Sequence, residues 1–396
     1  MGKIISMFKF TLLLCLGLLP LSAHALRQVE VIFYSERCQI TFDPEMVPRN
    51  KITINSNGIT KFYSFLEKSQ YSIILSDLQK QKNALLLNDW LYFRLMETAV
   101  NQIFRAQSPA EKVLINWFLL SKSGYDARVT FREKQVYLCV FTEEMVFEVP
   151  MIKEQGRTFV NLSEVGQKEQ NQNPVYLLDY VPNPNGKPFS FSLSQMPQFR
   201  VEVEQKYLKF SYRDSIYNWP VQVNRTLIKL MENYPFIDEM EYVKAPLSSS
   251  LLNTLIPQIK SAVRNMSQQE AVQFITVFTR SAFRYMEDKS YFGKSKPMIP
   301  DEVLHYPFSD CEDRSALFYA LVKNILDLPM VVVAYPDHLT IGVHLPGVKG
   351  EAIYFQGNRY LVCDPTGPYN SIEIGKIPNE LKGSPYEIIH HFETKQ

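Results

Sequence analysis

The sequence predicts an α+β protein, and three observations carry that prediction. From Cys311, "CEDRSALFYALVKNI" is apolar nearly all round beyond its first turn, as a helix inside a core must be. "MVVVAY" (330–335) is a β-branched apolar run of strand length, consistent with a strand covered on both faces. "HLTIGVHL" (338–345), "AIYF" (352–355) and "YLVCD" (360–364) follow with turn signals between them, so one buried helix precedes an antiparallel sheet.

Each element has its own signature. Residues Met266 to Met286 form an amphipathic pattern, with Ser267 at the N-cap and Glu270 three residues on, which completes a capping box. Residues 287–310, rich in Pro, Gly, Ser and charge, read as a long loop. The Cys311 helix stops before Pro329. Asp364 ends its strand because Pro365 cannot continue the ladder.

Composition bounds the rest. With 396 residues, 46% hydrophobic and 13% aromatic, the chain can bury two cores. A formal charge of +1 with Lys, Arg, Asp and Glu well mixed supplies no basic stripe, so no nucleic acid partner is expected. Residues 1–25 carry Lys3 and Lys9, an apolar run and then Ala23-His24-Ala25, the pattern of a secretory signal peptide with mature chain from Leu26. The expected location is periplasmic or extracellular. That run is too short to span a bilayer and no other stretch is apolar enough, so no membrane span is expected after cleavage.

Beyond the leader lie Cys38, Cys139, Cys311 and Cys363, with no pair at CxxC spacing, and neither a cofactor nor a metal is expected. Cys38 and Cys139 both fall in strand-like runs, where a bridge between them and two buried free thiols are alternatives that stay open. Cys311 differs, because it stands where a buried helix surfaces among acidic residues. No histidine occurs from Leu26 to Leu304; five follow, at 305, 338, 344, 390 and 391. Cysteine–histidine chemistry is therefore confined to the last third. His344 lies six residues beyond His338, roughly 20 Å along a strand, too far to serve the same thiol. His390 and His391 are expected to be exposed near the C-terminus.

A helix led by cysteine, a buried strand, a strand led by His338 and a strand ending in "DPT" resemble, in that order, the transglutaminase-like superfamily of papain-type folds. The resemblance covers roughly Met266 to Tyr369, and "DPT" is its most specific piece. It implies Cys311 as nucleophile, His338 as general base and Asp364 as the acid that orients the imidazole, spaced 27 and 26 residues apart. The pattern departs from the family in three places: no glycine precedes the cysteine, Leu339 and Thr340 follow the histidine where an aromatic residue is common, and Asp327 stands where glycine commonly closes the helix.

The residue types fit that chemistry without the family. The thiolate is the reactive form of cysteine, and both a helix N-terminus and a protonated imidazole favour it. A carboxylate behind the imidazole fixes its tautomer. The Cys311 N–H, unpaired in a first helical turn, can bind an oxyanion, with a second donor expected from upstream, where Tyr291, Tyr306 and loop backbone are candidates. Asp310, Glu312 and Asp313 would raise the thiol pKa, so they are expected to turn toward Arg314 or meet a basic substrate.

An internal echo appears upstream. "EKVLINWFLLSKSGYDARVTF" from Glu111 repeats apolar helix, helix stop and strand; aligning Gly124 with Asp327 sets Ser108 opposite Cys311, with no histidine following. The expected organisation is residues 1–25 as leader, 26–170 as an N-terminal mixed β/α module that is a degenerate copy, 171–245 as a β-rich connecting region, and 246–396 as the transglutaminase-like module. The expected activity is hydrolysis of an amide or peptide bond through a thioester on Cys311, acting on a peptide or protein substrate such as a cell-wall peptide. The alternative is a catalytically inactive binding or assembly protein of the cell envelope that keeps the fold.

Overall fold

In the second half, the helix Cys311–Ile325 lies against one face of a five-stranded antiparallel sheet. The computed structural model describes residues 25–166, 174–367 and 373–394, so the leader reading of 1–25 falls, apart from Ala25, outside the described residues. Across the sheet the strands run Ala352–Phe355, Asn358–Cys363, His338–Val343, Met330–Tyr335 and Glu387–Phe392. A simple meander would have put Ala352–Phe355 in the middle. Instead Ile341 pairs with Cys363 and Val343 with Leu361, and Ala352–Phe355 is the edge strand. Because neighbours are antiparallel, the start of the His338 strand and the end of the Asn358–Cys363 strand meet at one end of the sheet.

Strand alternation explains why these runs are apolar on both faces. Met330, Val332, Ile341, Val343, Leu361 and Cys363 join the core under the Cys311 helix. Val331, Val333, Tyr335, Tyr360 and Val362 form a second cluster on the opposite face, covered by Ile377 and Leu381. The amphipathic helix spans Gln268–Ser281, and its Ser267/Glu270 capping box is present. The 287–310 stretch is not a plain loop: it holds the short helices Asp288–Phe292 and Pro300–His305, then a two-residue strand, Phe308–Ser309, paired in parallel with Arg284–Tyr285.

The first half repeats this strand order. Its five strands lie in space as Met151–Glu154, Arg157–Asn161, Gln135–Phe141, Ala127–Arg132 and Tyr176–Leu177, all antiparallel. The helix Pro109–Lys122 precedes them as Cys311–Ile325 precedes the other five. Both edge hairpins turn on Gln-Gly, at 155–156 and 356–357, with φ of 50° and 78° in one and 49° and 78° in the other. Gly tolerates that left-handed geometry at the second position.

Residues 174–245 are shared between the two cores. Tyr176–Leu177 closes the first sheet, and Phe189, Phe191 and Leu193 enter the first core. The hairpin Val203–Tyr212/Ser215–Asn224 packs Leu208, Phe210 and Tyr212 into the second. The four cysteines among the described residues are free, and Cys38 and Cys139 lie buried in separate clusters, so the second of the two alternatives holds. Among the described residues, no helix is long and apolar enough to cross a membrane.

Candidate active site

The backbone of the strand that carries His338 registers the Cys311 helix. Ser315 Oγ donates to the carbonyl oxygen of Leu339 at 3.1 Å, and one turn earlier the Leu339 N–H favours the ionised form of the Cys311 thiol. Residues four apart share a helix face, so this pair docks the first turn beside His338. Upstream, the short parallel pairing of Arg284–Tyr285 with Phe308–Ser309 delivers the chain to the helix start.

His338 and Asp364 meet at the sheet end. His338 Nε2 lies 3.4 Å from Asp364 Oδ1 and 3.2 Å from Thr366 Oγ1. Asp364 Oδ1 also accepts the Thr366 N–H at 3.0 Å and the Thr366 hydroxyl at 2.6 Å. Burial pushes the Asp364 carboxyl up, but His338 and the two Thr366 bonds outweigh it and hold the group below the usual carboxylate range. The backbone around Asp364 is held by buried cations: Arg280 donates to its carbonyl oxygen, and Arg314 donates to those of Thr366 (2.8 Å), Gly367 (3.0 Å) and Phe283 (2.8 Å) and to Ser309 Oγ (3.1 Å).

The acidic residues do not turn toward Arg314 as expected, since its four bonds go to Ser309 and main-chain carbonyls. Instead the Cys311 thiol donates to Glu312 Oε2 at 3.0 Å. Burial pushes this thiol up, and the Glu312 carboxylate pushes it further. The same crowding acts on the carboxylates: burial, then Glu312 and Asp288, push Asp310 up to about 8, and burial with Asp310 raises Asp313. One oxygen each from Asp288, Asp310 and Glu312 lie within 4.8 Å of one another, an all-oxygen set of the kind that could hold a hard divalent cation. Asp310 and Glu312 flank Cys311, but Asp288 lies 22 residues before Asp310, and no sequence spacing announces the set.

A cleft of about 790 Å³ opens at this end of the sheet, lined by Tyr285, His338, Asp364, Thr366 and residues 376–382. Tyr285 lies with its ring 5.3 Å from the Arg314 guanidinium carbon. Tyr285 is 48% exposed; burial of the remainder first, and negative charge on the Cys311 sulfur next, push its phenol up to about 12, so it is a proton donor at neutral pH. Tyr291 packs on Phe292 and Phe308, and Tyr306 on Phe292.

The remaining histidines are held elsewhere, His305 with Nδ1 2.9 Å from Glu204 Oε2. His344 Nδ1 is 3.0 Å from the Arg359 carbonyl oxygen. His390 and His391 are half-buried, against expectation, because Glu387–Phe392 is a sheet strand; they meet the hydroxyls of Tyr319 (3.1 Å) and Tyr360 (2.7 Å). Arg280 and Tyr285 carry no sequence signal that marks them as parts of the site; Thr366 shows only as the end of "DPT", and Arg314 only as an expected partner for the acidic residues beside Cys311.

The chain matches no family model, no curated protein and no solved structure.

Proposed function

We propose that this chain is an exported, transglutaminase-like cysteine hydrolase that cleaves amide or peptide bonds through a thioester on Cys311. The observation that carries this reading is the shared sheet end: His338 opens one strand, Asp364 follows its antiparallel neighbour, and the Cys311 helix docks on Leu339 between them. Nε2 of His338 faces Asp364 and Thr366, which leaves Nδ1 for the thiol. His338 would take the Cys311 proton while the sulfur attacks the carbonyl carbon. The C–N bond then breaks, and the imidazolium protonates the leaving amine. Water, deprotonated by His338, attacks the thioester to release the acid and restore the thiol. The Cys311 N–H and the Tyr285 hydroxyl on the cleft wall would receive the oxyanion.

The first half fits a degenerate copy of the same module. Its matching strand order supports this, and the ladders set Gln135 in the place of His338 and Ser163 in the place of Asp364. Ser108, opposite Cys311, is engaged by Glu111, and Ser163 Oγ accepts the Leu138 N–H.

A binding or assembly protein of the cell envelope is the second reading, favoured by the Cys311–Glu312 bond, which holds the thiol protonated. Time-dependent alkylation of Cys311 by iodoacetamide separates the two: a tenfold or greater slowing in His338→Ala supports the enzyme, and slow labelling indifferent to His338 supports the binding protein. A screen of peptides, cell-wall fragments and glutamine-containing proteins, with Cys311→Ala as control, identifies the substrate.

A further inference from the structure

We propose that Thr366 is a positioning residue through which Asp364 holds His338, so that the hydroxyl relays between carboxylate and imidazole. This rests on the triad reading above. Three distances carry it. His338 Nε2 is nearer the Thr366 hydroxyl (3.2 Å) than Asp364 Oδ1 (3.4 Å), and that hydroxyl is 2.6 Å from Oδ1. A hydroxyl has one proton to donate and lone pairs to accept with. Its proton goes to the carboxylate, the stronger and closer acceptor, and its lone pair then faces the Nε2–H. The ring is thereby committed to the tautomer with Nδ1 free, the atom that must take the thiol proton.

The threonine is held for this task. It is 2% exposed, its N–H binds Oδ1 at 3.0 Å, and its carbonyl oxygen accepts from Arg314 at 2.8 Å. Neither its side chain nor its backbone can turn away without breaking a buried bond. The step from Asp364 to Thr366 is an Asx turn, which brings the N–H and the hydroxyl back over the carboxylate. Among side chains of similar size, valine would keep the shape and lose the relay, and serine would keep the relay and lose the methyl group.

The test compares Thr366→Val, Thr366→Ser and His338→Ala in the full chain. One readout is single-turnover acylation of Cys311 by p-nitrophenyl acetate, in which the sulfur displaces p-nitrophenolate. The other is the imidazole Nε2–H resonance of His338 in ¹⁵N-labelled protein. Thr366→Val is expected to slow acylation about 10²-fold and to broaden or lose the Nε2–H signal, and Thr366→Ser to restore both. Circular dichroism of each variant checks that it folds, and the serine variant carries the test if the valine one does not. A Thr366→Val chain that keeps its rate and its Nε2–H signal overturns the relay, and His338→Ala then shows whether the triad survives with Asp364 acting directly. If His338→Ala acylates as fast as the parent, the triad reading falls, and the Nε2–H signal alone still decides whether the hydroxyl holds the ring.

Discussion

The Cys311 thiol donates to the carboxylate of Glu312, the next residue in the chain, with Sγ and Oε2 3.0 Å apart. Adjacent residues on a helix point in different directions, so this contact exists only because the first turn brings the long Glu312 side chain back over the sulfur. A carboxylate there opposes ionisation of the thiol, on top of burial. Glu312→Gln keeps the shape and removes the charge. Alkylation of Cys311 by iodoacetamide at pH 7.5, with excess EDTA present, is expected to quicken about tenfold, the effect of one pKa unit on thiolate fraction. An unchanged rate would mean that burial and Asp310 set the thiol without Glu312.

Tyr285 yields a second expectation. Its hydroxyl is protonated at neutral pH and lies on the cleft wall with His338. Tyr285→Phe keeps the ring over Arg314 and deletes one donor. Loss of an oxyanion donor typically costs about 10²–10³ in kcat, with KM little changed. Alkylation passes through no oxyanion, so its rate should stay within about twofold. Equal losses in acylation and alkylation would instead assign Tyr285 to control of the thiol.

How much of this was legible beforehand depends on range. The Cys311 helix and the Met330–Tyr335 strand announce themselves, because long apolar runs have one stable destination. The strand order is not set by local signals: the turns alone allow a meander, whereas Ala352–Phe355 lies at the edge and His338 and Asp364 share one sheet end. The helices Asp288–Phe292 and Pro300–His305 were invisible because five or six residues hold too little of a period to separate them from loop. Where Glu312 and Thr366 point is set by rotamers and by a turn, which no spacing encodes.

Buried acids predict a pH dependence of stability that is independent of any activity. Asp301 is fully buried, with Oδ2 accepting the Ser248 N–H at 3.1 Å, and burial pushes its carboxyl up to about 6. An unfolded Asp loses its proton near pH 3.9, so between about 4 and 6 the native state holds a proton that the unfolded chain has released. Stability must therefore fall as pH rises through that window, by about 3 kcal/mol from this group. Asp301→Asn keeps the acceptor and removes the titration. Urea unfolding at pH 4 and pH 7 should show the variant gaining about that much on the parent at the higher pH. A parallel pair of pH profiles would show that the folded chain solvates this carboxylate.

Ser108 tests the first half. Counted from the helix C-termini it stands opposite Cys311, yet its side chain caps the helix Pro109–Lys122 from the N-cap, where the other module has Asp310 rather than Cys311: Oγ accepts the Glu111 N–H at 3.3 Å and donates to Glu111 Oε2 at 2.7 Å, while Glu111 takes the Ser108 N–H at 2.8 Å. Glu111 itself is buried, so the reciprocal bonds satisfy a carboxylate as well as two helix amides. A serine so engaged, with Gln135 where the other module has His338, has no base to activate it. Ser108→Ala should lower unfolding free energy by about 1–2 kcal/mol in urea titration, toward the upper end for a cap because Glu111 loses a partner too. Acylation of Cys311 by p-nitrophenyl acetate should stay at the parental rate under conditions where the variant is folded. A variant as stable as the parent but with acylation lost would mean that Ser108 serves chemistry and that the first half is not a silent copy.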